Sequence, residues 1–249
     1  MQYVSQVVHH GGTTIHYLDS QPESSSELSP LLICPGLSQT AEECVEYMKQ
    51  LHSRRCVVLS FRGRGKSGTP ETGYSLEHHV ADIAAVVEHA GLDRFHLYAY
   101  SRGVSYAIAY AMQTPMTILS LAILDYPAVH KRMEQSWADA YINDYLIPFG
   151  RTTHIRAEAV YRIQQESVEV ELQVPAHIRL LVMRGTLEGS LLDDTDLNRY
   201  LTSHPDAETV HFAHSAHDVE HTEAHLLYAA LQRFLADSPS SSNPENHLV

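Results

Sequence analysis

Between residues 31 and 235 the chain alternates short, continuously apolar runs with longer stretches whose apolar positions recur at helical spacing. The apolar runs are Leu31–Cys34 (LLIC), Cys56–Phe61 (CVVLSF), Phe95–Tyr100 (FHLYAY), Leu119–Leu124 and Ile178–Met183. They read as strands covered on both faces. Thr209–Phe212 reads as the last strand. The helical stretches are Ala41–His52, Ser75–Ala90, Val104–Met112 and His221–Leu235. The second is the clearest: Ser75 can cap its start and Gly91 its end, and Leu76, Val80, Ile83, Val87 and Ala90 share one side. Val104–Met112 is apolar nearly all round, so it is expected to be buried. Upstream, Val4–Val8 and Thr13–Leu18 predict a hairpin, with Gly11 and Gly12 at its turn. No internal repeat is present. Such alternation predicts an α/β fold, a mostly parallel sheet with helices on both faces.

One stretch breaks the rhythm. Residues 126–175 show helical composition, no strand pattern, and the aromatics Tyr126, Trp137, Tyr141, Tyr145, Phe149 and Tyr161. They are expected to form a small helical lid inserted into a core of residues 1–125 and 176–236. Its aromatics either face a substrate or make the lid's own small core. Residues 19–29 (DSQPESSSELS) read as a polar loop. Residues 237–249 (DSPSSSNPENHLV) have little apolar surface to bury and are expected to be a disordered tail.

Composition narrows the function. A chain of 249 residues, 44% hydrophobic, suffices for one large core. Lys plus Arg number 17 against 30 Asp plus Glu, a formal net charge of −13. An acidic surface repels phosphate backbones, so nucleic acid is not an expected partner. No apolar run is long enough for a membrane span. The opening MQYVSQVVHHGG lacks a basic region followed by an apolar core, so no secretory signal is expected. Cys34, Cys44 and Cys56 are odd in number and lack zinc spacing; they read as reduced thiols of a cytoplasmic protein. The 18 histidines carry no individual weight until position distinguishes one.

Ala99-Tyr100-Ser101-Arg102-Gly103 joins the strand Phe95–Tyr100 to the buried helix. A serine on a sharp strand-to-helix turn sits in a strained conformation that brings its second neighbours together, so both must be small. The helix that starts there aims N–H groups at developing negative charge.

With LLICPGLSQ (31–39), CVVLSFRGRGKSG (56–68), FHLYAYSRGVSYA (95–107) and HFAHSAHDVEHTEAHLLYAALQRFL (211–235), the chain resembles the α/β-hydrolase fold superfamily over residues 12–236. It is similar to the small, lid-bearing, cofactor-free serine esterases of that superfamily. Ala99 stands where glycine is usual, Pro35-Gly36 where His-Gly is usual, and Ser60 where an aspartate is frequent.

The resemblance implies an eight-stranded, mostly parallel sheet and a catalytic serine, acid and histidine in that chain order. Ser101 is the expected nucleophile. The oxyanion hole is expected from the Arg102 and Leu37 backbone N–H groups. His217, in Ser215-Ala216-His217-Asp218 after the last strand, is the expected base, with His214 a weaker competitor. The acid stays open between Glu188, at the family's usual position, and Asp125, at the end of an earlier strand. Tyr100, Tyr126, Trp137 and Tyr141 are the expected substrate contacts.

Two other patterns carry less. GRGKSG at 63–68 has Ser60 where a phosphate-binding loop needs glycine. His221 and His225 are spaced for a helical metal pair, but Glu223 falls two residues from the first histidine rather than next to it. The expected activity is a serine hydrolase, first a carboxylic ester hydrolase, with no metal or cofactor and a small-molecule substrate. A lactone, amide, thioester or C–C bond hydrolase with the same residues is the alternative, and a non-catalytic ligand-binding protein on the same fold is the rival. Monomer and homodimer both remain open.

Overall fold

Gly11 and Gly12 take positive φ of 54° and 75°, which closes a tight turn between β1 (Val4–His10) and β2 (Thr13–Asp19). From this hairpin the computed structural model, which describes residues 2–20 and 28–236, builds one eight-stranded sheet. The expected tail at 237–249, and residues 21–27 of the polar loop, lie outside the described residues. The remaining strands are β3 (Leu31–Cys34), β4 (Cys56–Ser60), β5 (Phe95–Tyr100), β6 (Ile118–Leu124), β9 (Arg179–Gly185) and β10 (Glu208–Phe212), in the order β1-β2-β4-β3-β5-β6-β9-β10. All run parallel except β2, which is antiparallel to both neighbours.

Alternation along each buried strand divides the core in two. Val57, Leu59, Leu97, Ala99, Leu121 and Ile123 pack on one face against α2 (Leu76–Ala90) and α3 (Gly103–Gln113). Val58, Tyr98, Ala122 and Leu124 pack on the other against α1 (Val45–Gln50) and α8 (Ala224–Ala236). α6 (Asp194–Ser203) adds Leu197 and Tyr200 to the first face. Cys34, Cys44 and Cys56 are free and buried. Among the described residues no helix is long and apolar enough to cross a membrane.

Three local departures from the sequence reading have physical causes. The helix expected at 41–52 opens as a 3₁₀ turn, Ala41–Cys44, because Thr40 and Glu43 form a capping box that tightens its start. The helix expected from His221 breaks into α7 (Val219–Thr222) and α8. Glu223 at the break folds back to accept the His214 N–H (2.9 Å) and the Ser215 O–H (2.6 Å), so His221 and His225 do not share one continuous helix. Finally, residues 126–175 contain a two-stranded pair, β7 (Val129–His130) with β8 (Val170–Glu171). Strands of two residues are too short to leave a periodic trace.

Between β7 and β8 stand α4 (Gln135–Ala140), its π-helical continuation Tyr141–Leu146, and α5 (Ala157–Glu166). They share a separate small core that includes Ala138, Ile142, Leu146, Val160 and Ile163, into which Leu37 also packs. Trp137, Tyr141, Tyr145 and Phe149 recur every fourth residue. Their rings follow one another at 4.8, 5.1 and 5.4 Å between centroids, an aromatic stripe on one side of the segment.

Candidate active site

The turn after β5 puts Ser101 at φ 54°, a conformation that costs a non-glycine residue on the order of 1–3 kcal/mol. Close packing holds it there. A Cβ on Gly103 would fall 2.3 Å from the Pro35 carbonyl oxygen, and one on Gly36 would fall 3.1 Å from Ser101 Cβ. The serine turn and the loop after β3 therefore touch through Gly103, which has no room for a side chain, and Gly36, where a Cβ would be tight, and the contact brings Leu37 close to Ser101.

Ser101 Oγ lies 2.9 Å from His217 Nε2, and His217 Nδ1 lies 2.8 Å from Asp125 Oδ2. With Nδ1–H donating to the carboxylate, Nε2 is left as acceptor for the Ser101 hydroxyl. Asp125 follows β6, fully buried, at φ 53°. Its N–H donates to the Met183 carbonyl on neighbouring β9 (2.8 Å). Its carboxylate also accepts the Ser190 O–H (2.5 Å) and the Leu191 N–H (3.0 Å).

Of the two carboxylates left open by the sequence, Asp125 is the one bonded to His217. Glu188 is exposed in the loop after β9, and that loop reaches the site by another route, through Ser190 and Leu191. His214 is exposed, its N–H turned to Glu223.

Leu37 and Arg102 both border a cleft of about 1240 Å³ that opens over Ser101. Neither backbone N–H has an acceptor among the described residues. Tyr100, Tyr126, Trp137 and Tyr141 all line the same cleft. Tyr100 stacks on the His217 ring at 4.9 Å and donates its O–H to the His217 carbonyl (2.7 Å), which fixes the imidazole from behind. Burial pushes the Tyr100 phenol far above its ordinary pKa, and the Tyr141 phenol up to about 12, so both remain donors.

Several supports had no signal in the sequence. Gln39 accepts the Gly36 N–H at 2.8 Å and donates to Glu220, whose other oxygen accepts the Tyr47 O–H at 2.5 Å. Burial raises the Glu220 carboxyl pKa against these two bonds, which lower it. The Arg102 side chain is itself buried. It donates to Tyr106 Oη (3.1 Å), the Lys131 carbonyl (3.2 Å), His130 Nε2 (3.1 Å) and Ser167 Oγ (2.6 Å). It thereby ties the serine turn to both ends of the 126–175 segment. Burial and the Arg102 charge depress His130 to about 3, so it stays neutral and accepts.

GRGKSG is a support of the same kind. The Gly63, Gly65 and Gly68 N–H groups already donate to Gly68, His154 and Thr14 carbonyls, which leaves no cradle for a phosphate. Arg64 within it donates to the Leu37 carbonyl (2.9 Å). Among the described residues no group of three or more His, Cys, Asp or Glu side chains is arranged to hold a metal ion.

A serine hydrogen-bonded to a histidine that is itself bonded to a buried carboxylate, on a cleft bordered by two backbone N–H groups without acceptors among the described residues, is an arrangement able to support attack on a carbonyl. A family model described as alpha/beta hydrolase fold matches residues 29–142. The chain is 33% identical over 99 residues to the N-formylmaleamate deformylase of Pseudomonas putida, a match spanning 39% of this chain and 37% of that protein. Its structure is similar to the esterase RhEst1 from Rhodococcus sp. ECU1013, with a TM-score of 0.78 at 16% identity over 96% of this chain and 100% of that one. It is also similar to the enol-lactonase from Burkholderia xenovorans LB400, with a TM-score of 0.74 at 16% identity over 93% of this chain and 100% of that one. Sheet order, serine turn and the match to the family model together show that the chain has the α/β-hydrolase fold.

Proposed function

We propose that the protein is a serine hydrolase that cleaves a carboxylic ester of small to medium size with an apolar part. The observation that carries this reading is the unbroken hydrogen-bond line from Ser101 Oγ through His217 to Asp125, at 2.9 and 2.8 Å. In the reaction His217 Nε2 takes the Ser101 proton as Oγ attacks the ester carbon. The oxyanion is held by the Leu37 and Arg102 N–H groups, each such donor contributing about 3 kcal/mol of barrier lowering. His217 returns the proton to the leaving alcohol, and the acyl group stays on Oγ. A water, deprotonated by the same Nε2, then attacks the acyl carbon and frees Ser101. Asp125 keeps Nδ1–H in place and stabilises the imidazolium at both stages. The 126–175 segment acts as the lid, and its aromatic stripe presents an apolar wall to the substrate.

A second reading is cleavage of an amide C–N bond by the same residues. It is favoured by the 33% identity to a deformylase over 99 residues. The two readings differ only in whether the leaving group protonated by His217 is an alcohol or an amine.

The test is hydrolysis of p-nitrophenyl esters from acetate to decanoate by the protein and its Ser101→Ala variant, with fluorophosphonate labelling of Ser101 beside it. Turnover and labelling that both vanish in the variant are the expected result. No turnover of any ester and no label on Ser101 would overturn the hydrolase reading in favour of a non-catalytic ligand-binding protein.

A further inference from the structure

Several charged groups bordering the cleft are paired with an opposite charge. Arg151 pairs with Glu43 at 2.7 Å and Arg132 with Glu134 at 3.7 Å. One wall differs. Lys131 lines the cleft with its ammonium 5.5 Å from the centre of the Tyr126 ring. Among the described residues no carboxylate is within ion-pair distance of it. Asp196 is influenced by the Lys131 charge but forms its ion pair, at 3.5 Å, with Arg199.

Arg102, which donates to the Lys131 carbonyl, is also on the cleft and only 3% exposed. Every acceptor it reaches is uncharged: a phenol, a carbonyl, a hydroxyl and the neutral His130. Two positive charges therefore border the cleft with no carboxylate partner among the described residues, in a protein whose net charge is −13. A buried guanidinium satisfied only by neutral acceptors keeps a large desolvation cost. An incoming anion would offset that cost and gain charge-assisted hydrogen bonds.

The chain connectivity puts this wall beside the chemistry. Arg102 directly follows Ser101, and Tyr126 directly follows Asp125, so an anion on the wall belongs to the molecule whose carbonyl is at Ser101. We propose that the substrate carries a carboxylate, and that Lys131, with Tyr126 under it and Arg102 on the same cleft, binds that carboxylate. This rests on the serine-hydrolase reading and narrows its substrate class to acid-bearing esters or amides. Lys131 is the specificity-determining residue, because its ammonium is the donor still free to turn toward a ligand.

The test uses the Ser101→Ala protein, in which bound ester persists, and reads binding by calorimetry. Two pairs of ligands are compared: monoethyl glutarate with ethyl pentanoate, and butanoyloxyacetate with ethyl butanoate. They carry the acid on the acyl and the alcohol side respectively. The expected result is that at least one acid-bearing ester binds about tenfold or more tighter than its neutral partner. That preference should weaken as salt rises, collapse on adding Lys131→Met and return with Lys131→Arg, each variant checked by thermal unfolding. Equal binding of acid and neutral esters, no binding of either acid, or a preference that survives Lys131→Met would overturn the proposal. Fluorophosphonate labelling of the unmutated protein reports separately on Ser101, so a failed carboxylate preference with intact labelling leaves the hydrolase reading standing.

Discussion

Gly185, the last residue of β9, lies directly against Ala216: a Cβ on Gly185 would fall 1.9 Å from the Ala216 carbonyl oxygen and 2.5 Å from that of Ser215. The loop that carries His217 is thus seated on a bare Cα at the end of the sheet. Any side chain there must push backbone, which cannot swing away as a flexible side chain can. Gly185→Ala should lower stability by roughly 1–3 kcal/mol. It should also slow fluorophosphonate labelling of Ser101 about 100-fold, because a shift near 1 Å at a catalytic group has that effect. A variant that labels at the normal rate would show that the His217 loop is positioned by other contacts.

Asp125 and Glu188 make the sharpest pair of substitutions. Asp125→Asn removes the acceptor bonded to His217 Nδ1, and kcat should fall by about 10⁴, the loss known for a triad carboxylate. Glu188→Gln alters an exposed side chain and should leave kcat within about threefold. Steady-state kinetics on one ester decides. The reverse pattern would make Glu188 the functional acid, through a loop movement.

Glu220 is linked through Gln39 to Gly36, in the loop that carries Leu37. Glu220→Gln puts an amide N–H₂ where an oxygen accepts from Tyr47 or Gln39, so one donor is left facing another. The expected effect is on the oxyanion: kcat lower by about 10–100-fold with KM changed by less than about threefold. A rise in KM with unchanged kcat would assign Glu220 to substrate binding.

Acid should weaken the fold through histidines buried neutral. His96, bonded to Ser120 Oγ at 2.8 Å, has its pKa pushed down to about 4 by burial and by the charges of Arg54 and Arg179. His130 is depressed to about 3. Both titrate near 6.5 when unfolded, so between these values the unfolded chain binds more protons and stability falls as pH is lowered. Their contribution is complete above about pH 6.5 and is lost as pH drops toward 4, about 2 kcal/mol each by pH 5. Guanidinium midpoints at pH 7 and pH 5 measure this. His96→Asn should flatten the slope, and an identical slope in that variant would remove His96 from the account.

The order of strands and helices, the serine turn and the histidine after the last strand were all legible along the chain. Each depends on local rules: alternation and apolar continuity for β4, β5 and β9, capping by Ser75 and Gly91 for α2, and small neighbours around Ser101. Short or broken elements were not legible. β7 and β8 have two residues each, and the split between α7 and α8 follows from the Glu223 side chain folding back to His214 and Ser215.

The sequence by itself determined the fold class and narrowed the chemistry to one serine and a preferred histidine. Only the tertiary structure decided which carboxylate meets His217, because β6 and β9 are neighbours in the sheet while Asp125 and His217 are 92 residues apart in sequence. It alone showed that the loop bearing Glu188 supports Asp125 through Ser190 and Leu191, that Arg64 of GRGKSG bonds the Leu37 loop, and that Lys131 and Arg102 both line the cleft with no carboxylate partner among the described residues. These relations join strand ends that come together when the sheet forms. Their pairing energies belong to distances in space, and residue spacing along the chain carries no record of them.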